Sequence, residues 1–139
     1  MTDLIDARTI GYSAANRALD AAIGAANSLG VPVCIAVSDR AGHLVAYARM
    51  DGAPLLSGEI AQDKAYTVAA FGLPTHEWFD LIKDELSLLH GIVKTDRLIV
   101  FGGGVPIHAD GDLVGAVGVS GGSADQDRQI AEAGAAAIG

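Results

Sequence analysis

The sequence predicts an α+β fold, an antiparallel sheet of five strands with helices packed on it. Two strand pairs carry the expectation: Val33–Asp39 with His43–Met50, and Val105–Ala109 with Asp112–Ser120, each joined by a short turn containing glycine. A further apolar run, Arg97–Phe101, supplies the fifth strand. Between and around them lie segments whose apolar residues recur every three or four positions, the period of a helix. The predicted order is α-β-β-α-α-β-β-β-α in a single domain over residues 1–139.

Each element has its own justification. From Asp3 to Leu29, Ala7, Ile10, Ala14, Ala18, Ala21, Ala25 and Leu29 form one helical face. Gly30 stops this helix and Pro32 forbids continuation. Arg40-Ala41-Gly42 is a three-residue hairpin loop, with Gly where a positive φ is needed. In the strand after it, Leu44, Ala46, Ala48 and Met50 point one way and His43, Val45, Tyr47 and Arg49 the other. Ser57 opens a helix to Phe71, closed by Gly72 and Pro74, and Thr75 caps a short helix over His76–Asp84. Leu86–Thr95 has no clear period and reads as loop. Asp110-Gly111 turns the second hairpin. After Gly121-Gly122, Ser123 with Gln126 makes a capping-box pattern for the last helix.

Composition narrows the function classes. Half of the 139 residues are hydrophobic but aromatics are only 5%, so the apolar bulk comes from small and aliphatic side chains, 25 of them Ala. Such a chain buries enough surface to fold without a metal or disulfide staple. The net charge of −8, with nine scattered Lys and Arg, argues against nucleic acid and against an anionic membrane surface. No apolar run is long enough to span a bilayer. The single Cys34 and the lack of a leader pattern predict a cytoplasmic protein. The apolar excess, a mean hydropathy of +0.35, predicts burial between subunits as well as in the core.

An ordered series of motifs runs along the chain: Val37-Ser38-Asp39-Arg40-Ala41-Gly42-His43-Leu44, Ala48-Arg49-Met50-Asp51-Gly52-Ala53, Ile60-Ala61-Gln62-Asp63-Lys64-Ala65, Gly102-Gly103-Gly104-Val105-Pro106-Ile107, Val114–Gly122 and Asp125-Gln126-Asp127. In order and spacing it resembles the GlcG/HbpS family of haem-binding-like proteins, which includes the C-terminal domain of PduO-type proteins. The resemblance implies a profilin-like α-β-α sandwich and homo-oligomers from dimer to octamer. It also implies a role in haem binding or small-molecule catabolism.

The candidate site residues are cationic and polar. Arg49 offers a planar fork that grips a carboxylate, with Asp51 beside it; the alternative is a salt bridge at a strand end. Glu59 and Asp63 share a helix face, and Lys64 lies between them and an apolar stripe of Ile60, Val68 and Phe71. A partly desolvated Lys64 would bind an anion or act as a base with Glu59; a snorkelling, solvated Lys64 is the plain alternative. Thr67 is one turn further on, and Gly121-Gly122 leads into a helix start. His43 and Tyr47 share a strand face with Arg49. No His-rich metal-ligand spacing is present, so no metal site is expected. Haem would be non-covalent, ligated by His43, Tyr47, Tyr66 or Met50.

Three readings follow. The first is a small-ligand-binding protein holding a small organic anion or haem between the central helix and the sheet. The second is a metal-independent isomerase, hydratase or lyase, with Lys64 and Glu59 as acid–base groups and Arg49 as carboxylate anchor. The third is an assembly protein whose Ala-rich helices self-associate.

Overall fold

Small side chains set the spacing between layers. The computed structural model describes residues 3–139. The elements are α1 (Tyr12–Leu29), β1 (Cys34–Asp39), β2 (Leu44–Arg49), α2 (Ser57–Phe71), α3 (Trp78–Ile82), α4 (Leu86–Gly91), β3 (Gly104–Ala109), β4 (Asp112–Ser120) and α5 (Ala124–Ala136). The strands form one antiparallel sheet in the order β2-β1-β4-β3. Helices α1 and α5 cover one face over Ile35, Val37, Ile107, Val117 and Val119. Helix α2 covers the other, its Ala61, Ala65 and Val68 packing with Cys34, Ala36 and Ala116. Because both faces are covered, β1 is buried through almost its whole length.

The layers meet backbone to backbone. A Cβ on Gly118 of β4 would stand 2.0 Å from the Ala61 carbonyl oxygen of α2, and one on Gly134 of α5 would stand 2.9 Å from the Ala18 carbonyl oxygen of α1. No side chain larger than hydrogen fits at Gly118, which is how the central helix comes down onto the sheet.

The antiparallel α+β architecture agrees with the sequence, but among the described residues the sheet has four strands, not five. Arg97–Phe101 is not a strand: Arg97 takes a positive φ of 66°, and the backbone N–H of Ile99 donates to the Thr67 hydroxyl of α2 at 3.0 Å instead of to a strand edge. The first helix begins at Tyr12, not at Asp3. Residues 3–11 run as an irregular strap in which the Ile10 N–H donates to the Val114 carbonyl at 2.9 Å and Ile10 packs over Gly115. The helical-looking spacing of Ala7 and Ile10 is therefore used by extended chain. Leu86–Thr95 is not loop but α4 followed by a 3-10 turn over Ile92–Lys94. Thr75 caps nothing; it is buried and its hydroxyl accepts the Gly104 N–H at 2.8 Å, tying the 3-10 turn Thr75–Glu77 to the start of β3.

Strand β2 breaks its expected alternation. The β1–β2 register shifts between Val37 and Ser38, so that Ser38 pairs with Leu44 and Val45 bulges. Ala46, Ala48 and Met50 pack with the α1/α5 core, joined by Val45. Leu44 is left half-exposed beside α2. Helices α3 and α4 and the turn before α2 leave Leu55, Leu56, Phe79, Leu81 and Leu86 more than half exposed.

The packing at Gly118 makes a sharp contrast with Gly24, an exposed position within α1 where an added Cβ meets nothing within 4 Å. Gly118→Ala is expected to cost about 1–3 kcal/mol or more by overpacking. Gly24→Ala is expected to gain about 0.5–1 kcal/mol from helix propensity. Urea unfolding midpoints of the two variants check both signs.

Candidate functional site

Helix α2 presents two opposed faces. One, spaced i, i+3, i+4, i+7, is Ala61, Lys64, Ala65 and Val68, all buried. Lys64 therefore sits in the centre of the apolar stripe instead of beside it, and Phe71, expected on that stripe, is 58% exposed. The Lys64 side chain is 1% exposed. Its Nζ donates to the Val119 carbonyl at 2.8 Å and to Asp127 Oδ2 at 3.2 Å, and lies 5.0 Å from the centroid of the Phe101 ring. Asp127 Oδ1 accepts the Gly122 N–H at 2.9 Å. Burial pushes the Lys64 ammonium below the usual lysine range, and the Asp127 carboxylate offsets part of that shift. A Cβ on Gly103 would stand 2.6 Å from Nζ, so glycine is needed where the chain passes over this ammonium.

Arg49 has different partners. It lies at the end of edge strand β2, where its Nη2 donates to the Ala53 carbonyl at 2.5 Å and closes the turn that holds exposed Asp51. The structure thus gives the two cations separate backbone carbonyls and does not aim them at one space. Gly121 packs on residues 32–33 and on Ser57, and the Gly122 N–H is taken by Asp127, so this turn is bonded inward. The Tyr47 hydroxyl lies against Gly58 at the start of α2. The neighbouring Cys34 thiol, then partial burial, push its phenol up to about 12. Thr67 is buried, its hydroxyl shared between the Asp63 and Arg97 carbonyls at 2.8 and 2.9 Å.

The second face of α2 lines a groove. Glu59, Gln62 and Asp63 form one wall, Gly42, His43 and Leu44 of the β1–β2 hairpin the other, and Arg97 closes an end; the space is about 630 Å³. That volume falls within the range of about 300–1,000 Å³ common for small-molecule sites. Asp39 builds the hairpin side. Its Oδ1 accepts the Ala41 and His43 backbone N–H groups at 3.0 and 2.9 Å, and its Oδ2 lies 3.0 Å from His43 Nδ1. That contact engages Nδ1 and, among the described residues, leaves Nε2 without a hydrogen-bond partner. On the far side, Arg97 Nε donates to Asp63 Oδ1 at 2.9 Å, and its guanidinium stacks 3.9 Å from the Tyr66 ring centroid. Among the described residues, no three His, Cys, Asp or Glu side chains gather as a metal site. Among the described residues, no helix is long and apolar enough to cross a membrane.

The model of the family described as "Haem degrading protein HbpS-like" matches residues 10–136. The chain belongs to the HbpS-like family. It is 40% identical, over 89% of its length and 88% of the relative's, to an uncharacterized 15.0 kDa protein from the dhaT–dhaS intergenic region of Citrobacter freundii. The crystal structure of Klebsiella pneumoniae protein ORFY superposes with a TM-score of 0.92 at 33% identity, covering 99% of this chain and 95% of that one. The crystal structure of a PduOC–haem complex superposes with a TM-score of 0.83 at 33% identity, covering 94% and 95%.

In this HbpS-like chain the groove brings together His43 and Glu59 of the residues singled out from sequence. It leaves Arg49, Asp51 and Tyr47 at the β2 edge and Lys64 in the interior. Sequence reasoning missed Asp39, Asp127 and Arg97. The i, i+3, i+4, i+7 spacing about Lys64 was a readable signal that this ammonium needs a buried carboxylate, and Asp127 is that partner. Arg97 left no periodic signal, because its position depends on a turn.

Two predictions follow from the geometry. Removing one member of the buried pair, Lys64→Ala or Asp127→Ala, is expected to destabilise by about 3–5 kcal/mol, because the other charge stays buried alone. Replacing both, with Lys64→Met and Asp127→Leu, costs clearly less than the sum of those two changes made singly, as read from a double-mutant cycle in urea. Tyr47, held protonated in the folded state, adds stability that is complete below its unfolded value of 10.0 and is lost as pH rises toward about 12. Alkaline absorbance titration of the wild type therefore has a phenolate component near 12 that Tyr47→Phe removes.

Proposed function

We propose that this chain binds haem non-covalently in the groove between the β1–β2 hairpin and α2, with His43 as the axial donor. The observation that carries the reading is the Asp39–His43 contact of 3.0 Å at the groove wall. A carboxylate that takes the Nδ1 side of a histidine orients the ring and turns Nε2 outward, which is how proteins prepare a metal-ligating histidine. The other donors considered from sequence are placed less well. Met50 packs with the α1/α5 core on the opposite face of the sheet, the Tyr47 hydroxyl is set against Gly58, and Tyr66 carries the Arg97 guanidinium on its ring. Family membership and the likeness to a PduOC–haem complex support the same ligand. When bound, haem would supply iron redox and ligand-binding chemistry. The chain's part would be to hold the His43 ring through Asp39 and to cover the bound group with the groove face of α2.

Acid–base catalysis by Lys64 with Glu59 is not favoured. Five positions on one helix set these side chains roughly 140° apart, and Lys64 is enclosed. Self-association belongs to the proposal as well, since Leu55, Leu56, Phe79, Leu81 and Leu86 leave apolar surface uncovered.

Titration with hemin is expected to give a Soret band that His43→Ala shifts and weakens, and that Tyr47→Phe leaves in place. Asp39→Asn, which disturbs the Nδ1 contact, is expected to give an intermediate spectrum. Absence of a band, or a band indifferent to His43→Ala, would overturn the reading. Sedimentation of the same samples should find species above the 14.1 kDa of one chain.

A further inference from the structure

Arg97 stands where the backbone does not want it. The Leu98 N–H donates to the Thr95 carbonyl at 3.2 Å, which makes residues 95–98 a turn with Arg97 at its third position. Its φ there is 66°. A turn with positive φ at that position calls for Gly or Asn, and a long side chain is strained in it. The strain is held by Thr67, whose hydroxyl bonds both the Arg97 carbonyl, at 2.9 Å, and the Ile99 N–H, at 3.0 Å. The local backbone gives no reason for arginine, so the reason lies in what its side chain does.

That side chain is set like a tool in a holder. Asp63 takes Nε at 2.9 Å and Tyr66 supports the guanidinium plane at 3.9 Å. Tyr66 is backed in turn by the hairpin loop, where a Cβ on Gly42 would stand 3.3 Å from its ring. Among the described residues, no hydrogen bond or ion pair uses the two Nη groups, and Arg97 lines the groove. Glu59, one helical turn before Asp63, is the groove carboxylate without an ion-pair partner among the described residues, so the wall toward Glu59 repels an anion while the Arg97 end attracts one.

We infer that Arg97 is the carboxylate anchor of this groove: its two Nη groups take a carboxylate of the ligand as a fork, Asp63 and Tyr66 hold the fork, and the turn strain at residue 97 is retained for that purpose. The inference rests on the haem reading and deepens it, since the carboxylates would be the haem propionates.

The test compares hemin with hemin dimethyl ester, which keeps the iron and macrocycle but has no free carboxylate. The protein is the full chain, as wild type and as Arg97→Gly. Glycine accepts the positive φ, so Arg97→Gly should fold with a urea midpoint equal to or above the wild type's. It should bind hemin about tenfold more weakly or worse, which corresponds to 1.4 kcal/mol, while its affinity for the ester stays within about twofold of the wild type's, a change well under that energy. Hemin affinity unchanged in Arg97→Gly, or an equal loss for hemin and ester, overturns the anchor while leaving the haem reading standing. A wild-type chain that binds neither compound overturns both. Asp63→Asn, which loosens the holder, should weaken hemin and spare the ester; an equal effect on the two would mark Asp63 as merely structural and overturn its part in the anchor.

Discussion

A buried ammonium organises this molecule. Lys64 projects from the central helix into a space where, among the described residues, a carbonyl of β4, a carboxylate of α5 and the face of Phe101 take the place of water. Each contact comes from a different element, and the carboxylate is itself fixed by the backbone at Gly122. A charge in such a place is tolerated only when its partners are all present. The glycine run at 102–104, the turn at 121–122 and the start of α5 are therefore constrained together by one side chain. The same requirement fixes α2 against the sheet, since Nζ reaches Val119 only if the helix descends to touch Gly118.

This constraint shows why much of the fold was legible in the sequence and part of the site was not. Helix α2, the β4 strand and the capping box at Ser123 are local patterns, and their residues state their own ends. The strap over residues 3–11 and the segment 97–101 are not local. Ile10 leaves the helix because Gly115 offers it a place on the core, and Ile99 leaves the sheet because Thr67 takes its N–H. The β2 bulge is of the same kind: one shifted pair at Ser38 and Leu44 turns a clean alternation into two faces that share apolar residues. Lys64, Arg49 and His43 were all visible as polar residues in apolar contexts. Their settings depend on partners that the local pattern does not name: Asp127, 63 residues on, for Lys64, and Asp39, four residues back, for His43.

The two faces of α2 differ in burial and in what they meet. The buried face holds small residues and one neutralised charge, and tolerates no change of shape. The groove face, Glu59, Gln62, Asp63 and Tyr66, is partly open to solvent and in contact with two loops. Thr67 connects the faces. It is buried with the core, yet it is the residue that holds the 97–99 segment in its strained form.

That connection bears on why arginine occupies a turn position suited to glycine. A left-handed conformation costs an ordinary residue about 1–2 kcal/mol relative to glycine. An exposed ion pair with Asp63 contributes at most about 1 kcal/mol. With Arg97 44% and Asp63 27% exposed, the pair alone does not offset the strain. Stacking on Tyr66 adds about 0.5–1 kcal/mol at such an exposure. The sum is close to balance, so the unliganded fold gains little from this arginine that glycine would not supply. An interaction made only when the groove is filled would give the arginine its advantage over glycine, because its free energy would be absent from the empty protein and present in the complex.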